Sequence, residues 1–210
     1  ERDEIILTIR NQGENRALLL SASANNARAH LTRVRKNNPL EPPMFCTLLR
    51  KYLTGSRVNA IRQLNGDRIL LMEFEGRDEM GDRAVRTLHC EFMGKYSNLI
   101  FVGAGGRIIE SARRVTSDLS RVREVLPGLP FEAPPAQDKL PYDRVEAAAL
   151  EARLRAAAGP LWKALASSVS GLSALTAREI AFRALGNEDV HLAECDPAEA
   201  GRAAAAALRE

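Results

Sequence analysis

Short runs between residues 4 and 112 are rich in apolar and β-branched residues, some with an imperfect alternation of apolar and polar positions, and they predict β-strands. Polar stretches rich in Asn and Gly separate the runs. The pair Asn65-Gly66 is the strongest two-residue hairpin signal that a sequence offers. Because helices do not alternate with the runs, antiparallel sheets are expected rather than a parallel one. The runs cover residues 4–10, 16–21, 57–64, 68–75, 85–93, 98–102 and 107–112, with a shorter one at 29–32.

One helix interrupts these strands and is predicted over Met44–Leu53. A proline pair precedes it, and proline is well tolerated in the first turn of a helix. A Thr-Gly pair follows it and ends the pattern. The apolar positions of the segment have the spacing of one buried stripe, and they are Phe45, Leu48, Leu49 and Leu53.

From Ser117 the alternation ends, and residues 118–126 are predicted to form a helical turn or two. A proline-rich connector follows and marks a domain boundary. Beyond it, helical spacing is found at residues 142–158, 160–169, 174–185 and 197–208. The prediction is an α+β chain: an antiparallel β-rich, sandwich-like domain at 1–126, a linker at 127–141 and an all-α domain at 142–210.

Two of these helices are joined by the short loop Ser170-Gly171-Leu172-Ser173, an arrangement that resembles a helix-hairpin-helix. In that motif, backbone N–H groups of the loop and a helix N-terminus meet a nucleic-acid phosphate. The loop here lacks the second glycine of the DNA-binding versions. Phosphate binding and plain helix packing both remain open for this segment.

The net charge of +3 conceals an asymmetry between the two ends of the chain. Residues 1–125 carry 21 Lys and Arg against 15 Asp and Glu, a net of +6, whereas residues 126–210 carry 9 against 12, a net of −3. A basic surface favours a phosphate-rich partner, because cationic side chains release condensed counterions on binding. An ordinary solvated surface of mixed charge is the alternative.

Several functional classes find no support in the sequence. The three cysteines and three histidines are scattered, so neither a zinc site nor another cofactor is expected, and the cysteine pattern fits a reducing cytoplasmic compartment. No apolar run approaches the ~20 residues of a membrane span, and no signal peptide opens the chain. Known catalytic motifs are absent, so a non-enzymatic role is expected. The opening strand pattern lacks an initiator Met, which indicates that natural sequence precedes residue 1.

Asp67 and Arg68 stand directly after the Asn-Gly turn or within it. Taken alone, they are an exposed charged pair that contributes little to stability. Other cations are individually as ordinary, and only the fold can show whether they form one basic face; they are Arg33, Arg35, Lys36, Arg50, Lys51, Lys95 and Arg107.

Several blocks of the chain, in order, closely resemble the NFACT family, some of whose members are labelled fibronectin-binding protein A. The blocks are NPLEPPMFCTLLRKYLTG (38–55), NGDRILLMEF (65–74), EFMGKYSNLIFV (91–102), RIIESARRV (107–115), VLPGLPFEAPP (125–135) and SGLSALTAREIAFRAL (170–185). The resemblance implies an NFACT-N domain, similar in fold to the N-terminal domain of formamidopyrimidine-type DNA glycosylases, followed by helix-hairpin-helix elements.

The resemblance also implies a role in ribosome-associated quality control. Family members bind the large (50S) ribosomal subunit that holds a stalled peptidyl-tRNA, and bacterial members recruit alanyl-tRNA to add a C-terminal alanine tail. The Asp-Arg pair that the family needs for tailing corresponds to Asp67 and Arg68. With nearby cations and polar residues of the matching blocks added to this pair, the expected tRNA-binding residues are Asp67, Arg68, Arg50, Lys51, Lys95, Ser97 and Asn98.

The resemblance has limits, and two other functions stay open. The family's opening helix, coiled coil and C-terminal RNA-binding domain lie outside this sequence, so residues 1–210 alone are expected to bind tRNA weakly and not to direct tailing. Fibronectin binding at the cell surface is the first alternative, and the absence of an export signal argues against it. A glycosylase-like enzyme is the second, and its N-terminal Pro nucleophile, adjacent Glu and zinc finger are not found here.

Overall fold

The structure, a computed structural model, describes residues 3–34 and 36–209. These residues form two compact units. The first unit runs to Leu64 and resumes over Arg68–Pro135; the second contains Asn65–Asp67 and the chain from Ala136 onward. The division at Pro135 falls within the proline-rich segment at 127–141.

The first unit contains two antiparallel sheets, and in each the strands lie in chain order. Every strand lies within two residues of a predicted run, so the prediction of an α+β fold with antiparallel sheets is confirmed. The three-stranded sheet consists of β1 (Glu4–Asn11), β2 (Glu14–Ser21) and β3 (Arg28–Thr32). The five-stranded sheet consists of β4 (Arg57–Gln63), β5 (Ile69–Arg77), β6 (Arg83–Glu91), β7 (Asn98–Val102) and β8 (Ile108–Ser111).

Helix α1 (Met44–Leu53) has the predicted bounds and packs in the main apolar cluster of this unit. Phe45 and Leu49 are buried, while Leu48 and Leu53 are half-buried, so the helix buries the predicted stripe. Burying each large apolar side chain contributes about 1.5–3 kcal/mol. Side chains from β2, β5, β6 and β7 complete the cluster, among them Leu20, Met72, Leu88 and Phe101.

The segment after β8 contains one short turn, in which the Thr116 carbonyl accepts from the Leu119 N–H at 3.0 Å and from the Ser120 N–H at 3.1 Å. It contains no helix, and the rest of residues 118–126, where a helical turn or two was predicted, is irregular or extended. Residues 115–131 are here named the strap: Val115 and Val125 bond to each other, and residues 128–131 then lie beside residues 106–108 at the start of β8. The Ile108 N–H donates to the Leu129 carbonyl at 2.9 Å, and the Ile108 carbonyl accepts from the Gly128 N–H at 2.8 Å. These bonds satisfy backbone groups of β8, which is an edge strand. That requirement comes from the sheet and is not visible in the local sequence.

The second unit has four α-helices among its described residues, packed around a core of leucines and alanines. Helix α2 starts five residues later than the prediction of residue 142, because Val145 and Glu146 are extended and Val145 is buried in the core. A short 3-10 turn, Tyr142–Arg144, precedes it. The helices are α2 (Ala147–Arg155), α3 (Leu161–Ser168), α4 (Ala174–Leu185) and α5 (Pro197–Ala207).

Helix α4 has a defined cap at each end, which explains why its bounds match the prediction. The Ser173 hydroxyl accepts a hydrogen bond from the Thr176 N–H at 3.0 Å, as expected of an N-cap. Gly186 ends the helix with a φ of 75°, and its N–H donates to the Phe182 carbonyl at 2.7 Å. Among the described residues, every helix is too short or too polar to cross a lipid bilayer.

Candidate nucleic-acid interface

The Asn-Gly turn predicted between β4 and β5 is present. Asn65 and Gly66 have φ values of 52° and 66°, the left-handed conformation that this dipeptide favours. The Leu64 N–H donates to the Ile69 carbonyl at 3.0 Å and closes a loop of four residues. Strand β5 therefore begins at Ile69 rather than at residue 68, and the Asp-Arg pair lies in the loop.

The two members of the pair differ in their surroundings. Arg68 is exposed, and its carbonyl accepts a hydrogen bond from the Phe92 N–H at 2.8 Å, which fixes its backbone beside the end of β6. Asp67 is half-buried and belongs to the second unit. The pair thus has a defined backbone and a cationic side chain that solvent reaches.

Within the second unit, Gly66 lies against the ring of Tyr142. A Cβ atom at Gly66 would come 3.0 Å from Tyr142 Cε1 and 3.1 Å from Cδ1, closer than side chains normally approach. A Cβ at Gly171 would lie 3.4 Å from the Gly66 carbonyl oxygen. Tyr142 was not among the predicted site residues, because nothing in the local sequence around it indicates a contact with a turn 76 residues away.

The last turn of α1 carries Arg50 and Lys51, both exposed, where cations complement the helix dipole. Lys51 Nζ lies 2.8 Å from the Glu79 carboxylate and 4.9 Å from the centre of the Tyr52 ring. The hydrogen bond to Glu79 is the main cause that raises the pKa of Lys51. Lys51 is therefore charged, but its charge is already partly neutralised by the Glu79 carboxylate.

Lys95 is exposed, with its Nζ 4.9 Å from the centre of the Tyr96 ring, and it remains a candidate. Ser97 and Asn98 are only 1% and 3% exposed. The Asn98 amide donates to the Arg113 carbonyl at 2.7 Å, and its oxygen accepts from the Leu99 N–H at 2.9 Å and the Arg113 N–H at 3.0 Å. This burial argues against the predicted tRNA contacts of Ser97 and Asn98; Asn98 instead holds the chain beyond β8.

Of the remaining predicted cations, Lys36 and Arg107 are already bonded to groups within the described part of the chain. Lys36 is paired with Glu4, and Arg28 lies 3.3 Å from the same carboxylate. Burial alone would raise the pKa of Glu4, but the hydrogen bond from Lys36 and the other nearby donors and charges lower it below its ordinary value. Arg107 donates to the Gly128 carbonyl at 2.7 Å. Arg33 is exposed, and Arg35 lies outside the described residues.

Polar side chains under the strap form a second cluster that the sequence did not indicate. Arg123 donates to the buried Glu91 carboxylate and, at 2.6 Å, to the Glu132 carbonyl. His89 stacks on Phe131 with ring centres 3.9 Å apart. Burial, with a smaller contribution from the Arg123 charge, lowers the pKa of His89 to about 4. His89 is therefore neutral near pH 7 and serves packing there.

Comparison with known proteins shows which family the chain belongs to. Rqc2 homolog RqcH of Bacillus subtilis (strain 168) is 40% identical over 185 residues, a match that covers 87% of this chain and 32% of that protein. The chain thus spans about a third of the length of that relative.

Solved structures agree with the sequence comparison. The N-terminal part of the fibronectin/fibrinogen-binding protein from Streptococcus suis superimposes with a TM-score of 0.79 at 36% identity, covering 97% of this chain and 73% of that one. The N-terminal domain of fibronectin-binding protein PavA from Streptococcus pneumoniae gives a TM-score of 0.77 at 33% identity, covering 86% and 67%. A family model described as NFACT N-terminal and middle domains matches residues 1–209. The chain therefore belongs to the family of NFACT N-terminal and middle domains.

Proposed function

We propose that this chain is the part of a ribosome-associated quality-control factor that binds tRNA and the large ribosomal subunit. In the full-length protein it promotes C-terminal alanine tailing of stalled nascent chains, with alanyl-tRNA as the tRNA partner. Family membership and the relatives named Rqc2 homologs support this proposal. Because the chain spans about a third of the Bacillus subtilis relative, tailing is assigned to the full-length protein.

The observation that carries the proposal is the fixed loop bearing the Asp-Arg pair. Asn65 and Gly66 hold a turn of positive φ, and the bond between the Arg68 carbonyl and the Phe92 N–H anchors its far side. The exposed guanidinium of Arg68 suits a phosphate or a guanine edge, since its planar fork makes paired charge-assisted hydrogen bonds. The Asp67 carboxylate accepts from a base amino group or a 2′-hydroxyl.

Two further cations extend the proposed contact. Arg50 and Lys95 are exposed and are assigned to phosphate contacts, which give affinity without sequence preference. Lys51 is assigned a smaller share because its ion pair with Glu79 has to be broken or shared when a phosphate binds.

The proposed module acts by binding and not by catalysis, and it works in the cytoplasm. We also propose that α3, the loop at 169–173 and α4 form the helix-hairpin-helix that the sequence suggests. The approach of Gly171 to Gly66 and Tyr142 favours helix packing over phosphate binding at its loop, because these groups already occupy the space beside Gly171.

The test is tRNA binding and alanine tailing by the full-length protein carrying Asp67→Ala or Arg68→Ala. Each change is expected to weaken tRNA binding by about tenfold, as for loss of a charge-assisted hydrogen bond. Asn98→Ala tests fold rather than contact, and it is expected to lower stability before it lowers affinity. Tailing at the wild-type rate by both pair variants contradicts the assignment of the site.

Binding of fibronectin is a second candidate, favoured by one observation. The solved structures with TM-scores of 0.79 and 0.77 come from proteins described as fibronectin- or fibrinogen-binding. Cell fractionation separates the two proposals: the quality-control function expects the native protein to sediment with large ribosomal subunits. Detection only on the surface of intact cells supports the fibronectin function instead.

A further inference from the structure

The Asn65–Asp67 turn meets an aromatic ring and a second glycine within the second unit. Gly66 has no side chain, and the ring of Tyr142 occupies the space that one would fill, 3.0 Å from the Cβ position. The Cβ position of Gly171 is 3.5 Å from Tyr142 Cδ1 and 3.4 Å from the Gly66 carbonyl. Two backbone segments and one ring are therefore in close contact.

The ring is itself held by a well-bonded backbone. The Leu140 N–H donates to the Ser168 carbonyl at 2.7 Å, and the Leu140 carbonyl accepts from the Ser170 N–H at 2.9 Å. The Arg144 N–H then donates to the Pro141 carbonyl at 3.1 Å and closes the 3-10 turn that carries Tyr142. Tyr142 therefore lies two residues after a backbone segment that is hydrogen-bonded to the C-terminal end of α3.

We propose that Tyr142 is a positioning residue for Asp67: its ring, resting on Gly66, fixes the turn from which Asp67 reaches the RNA. This inference rests on the proposed tRNA-binding function. Asp67 follows Gly66 directly, so a rotation of the turn moves its carboxylate. An ordered turn also reduces the conformational entropy lost when RNA binds, which strengthens binding without a new contact.

A double-mutant cycle in the full-length protein tests the positioning role through tRNA affinity. Tyr142→Ala is expected to weaken binding by about tenfold, within the range of coupled neighbours. Tyr142→Phe is expected to bind as the wild type does, because the atoms nearest Gly66 are ring carbons. In the Asp67→Ala background, Tyr142→Ala is expected to cause no further loss. Additive losses overturn the proposal, since they mean that Tyr142 contacts tRNA itself.

A matched pair of glycine variants tests the contact from the other side. Gly66→Ala and Gly106→Ala place the same strain on the backbone, with φ values of 66° and 70°. Only Gly66→Ala pushes against the ring, because nothing lies within 4 Å of the Cβ position at Gly106. Gly66→Ala is expected to lower tRNA affinity about as much as Tyr142→Ala does. Equal effects of the two glycine variants overturn the proposal.

Amide hydrogen exchange of the free protein separates failure of this inference from failure of the proposed function. Tyr142→Ala is expected to speed exchange at the Leu64 N–H, which closes the loop, while Tyr142→Phe leaves it slow. If Asp67→Ala binds tRNA as the wild type does, the role of Asp67 in the proposed function is wrong, and exchange alone then decides whether Tyr142 holds the turn. Unchanged exchange in Tyr142→Ala rejects that role.

Discussion

Two of the seven residues predicted to contact tRNA, Ser97 and Asn98, are buried within the fold. Asn98 is the clearest case: its amide makes three internal hydrogen bonds. A polar residue at the first position of a buried strand gives no sign, in one sequence, of whether it faces solvent or the backbone of a distant segment. Arg68 could be placed correctly because turn chemistry is local, whereas the partner of Asn98 is Arg113, 15 residues away.

His89 leads to a prediction about pH. Its pKa of about 4 lies below the ordinary 6.5, so the unfolded chain binds a proton between these values that the folded chain does not. The free energy of unfolding should therefore fall as pH drops from 7 to 5, by about 1–2 kcal/mol after allowance for partial exposure.

Urea denaturation at pH 7 and pH 5 checks this expectation. The His89→Gln variant should lose most of the difference between the two pH values, because glutamine does not titrate. Lowered carboxylate pKa values, such as that of Glu110, act mainly below pH 4.5 and leave this window clear. An equal drop in the variant and the wild type contradicts the assignment to His89.

Elements were predictable where their signals lie within the element. Helices α1 and α4 have the expected bounds because a proline pair, a serine cap and glycine stops mark their ends. The strap was missed because its backbone bonds go to β8, and α2 starts late because burial of Val145 holds the chain extended. In both cases, contacts with residues distant in the sequence determine the local backbone conformation.

The strap should depend on one buried ion pair. Arg123→Met leaves the Glu91 carboxylate without this cation, in a position where that side chain is 1% exposed. Breaking a buried pair costs about 3–5 kcal/mol, so chemical denaturation should show a large loss of stability. Arg121→Met, at an exposed position two residues earlier, is the control, and it should stay within about 0.5 kcal/mol of the wild type. A small effect of Arg123→Met shows that the strap is held mainly by its backbone hydrogen bonds to β8 and by its apolar contacts.

Packing of α5 on α2 predicts a cost for adding a single methyl group. A Cβ at Gly201 would lie 3.1 Å from the N and Cα atoms of Glu151, and backbone atoms cannot rotate away. Gly201→Ala gains about 1 kcal/mol of helix propensity but should still destabilise the protein by about 1–2 kcal/mol. Arg202→Ala, at the exposed neighbouring position, supplies the control in thermal unfolding. A raised melting temperature for Gly201→Ala means that the helices separate easily.

At the scale of the whole chain, the sequence predicts a β-rich domain followed by an all-α domain, and it shows an uneven charge between the two ends. It also pointed to the family through ordered blocks, and the family match over residues 1–209 confirms that resemblance. Sequence could not show which cations are paired with carboxylates, as Lys36 and Lys51 are. Net charge therefore overstates the number of cations available to RNA.

Salt dependence of tRNA binding measures that number. Each phosphate contact contributes a slope of about −0.7 to −0.9 in a plot of log affinity against log salt concentration. Arg50→Ala and Arg68→Ala should each make the slope shallower by about one, while Arg202→Ala, in the acidic part of the chain, should not change it. Identical slopes for all three variants contradict the assigned phosphate contacts.

The contact between Gly66 and Tyr142 also bears on how the family varies. Because a side chain at position 66 and a ring at position 142 compete for the same space, the two positions should change together during evolution. Relatives that lose the glycine should carry a small residue where this chain has tyrosine, and relatives that keep an aromatic ring there should keep the glycine. Positions 66 and 142 are 76 residues apart in the sequence, but an alignment of relatives should show them changing as a pair.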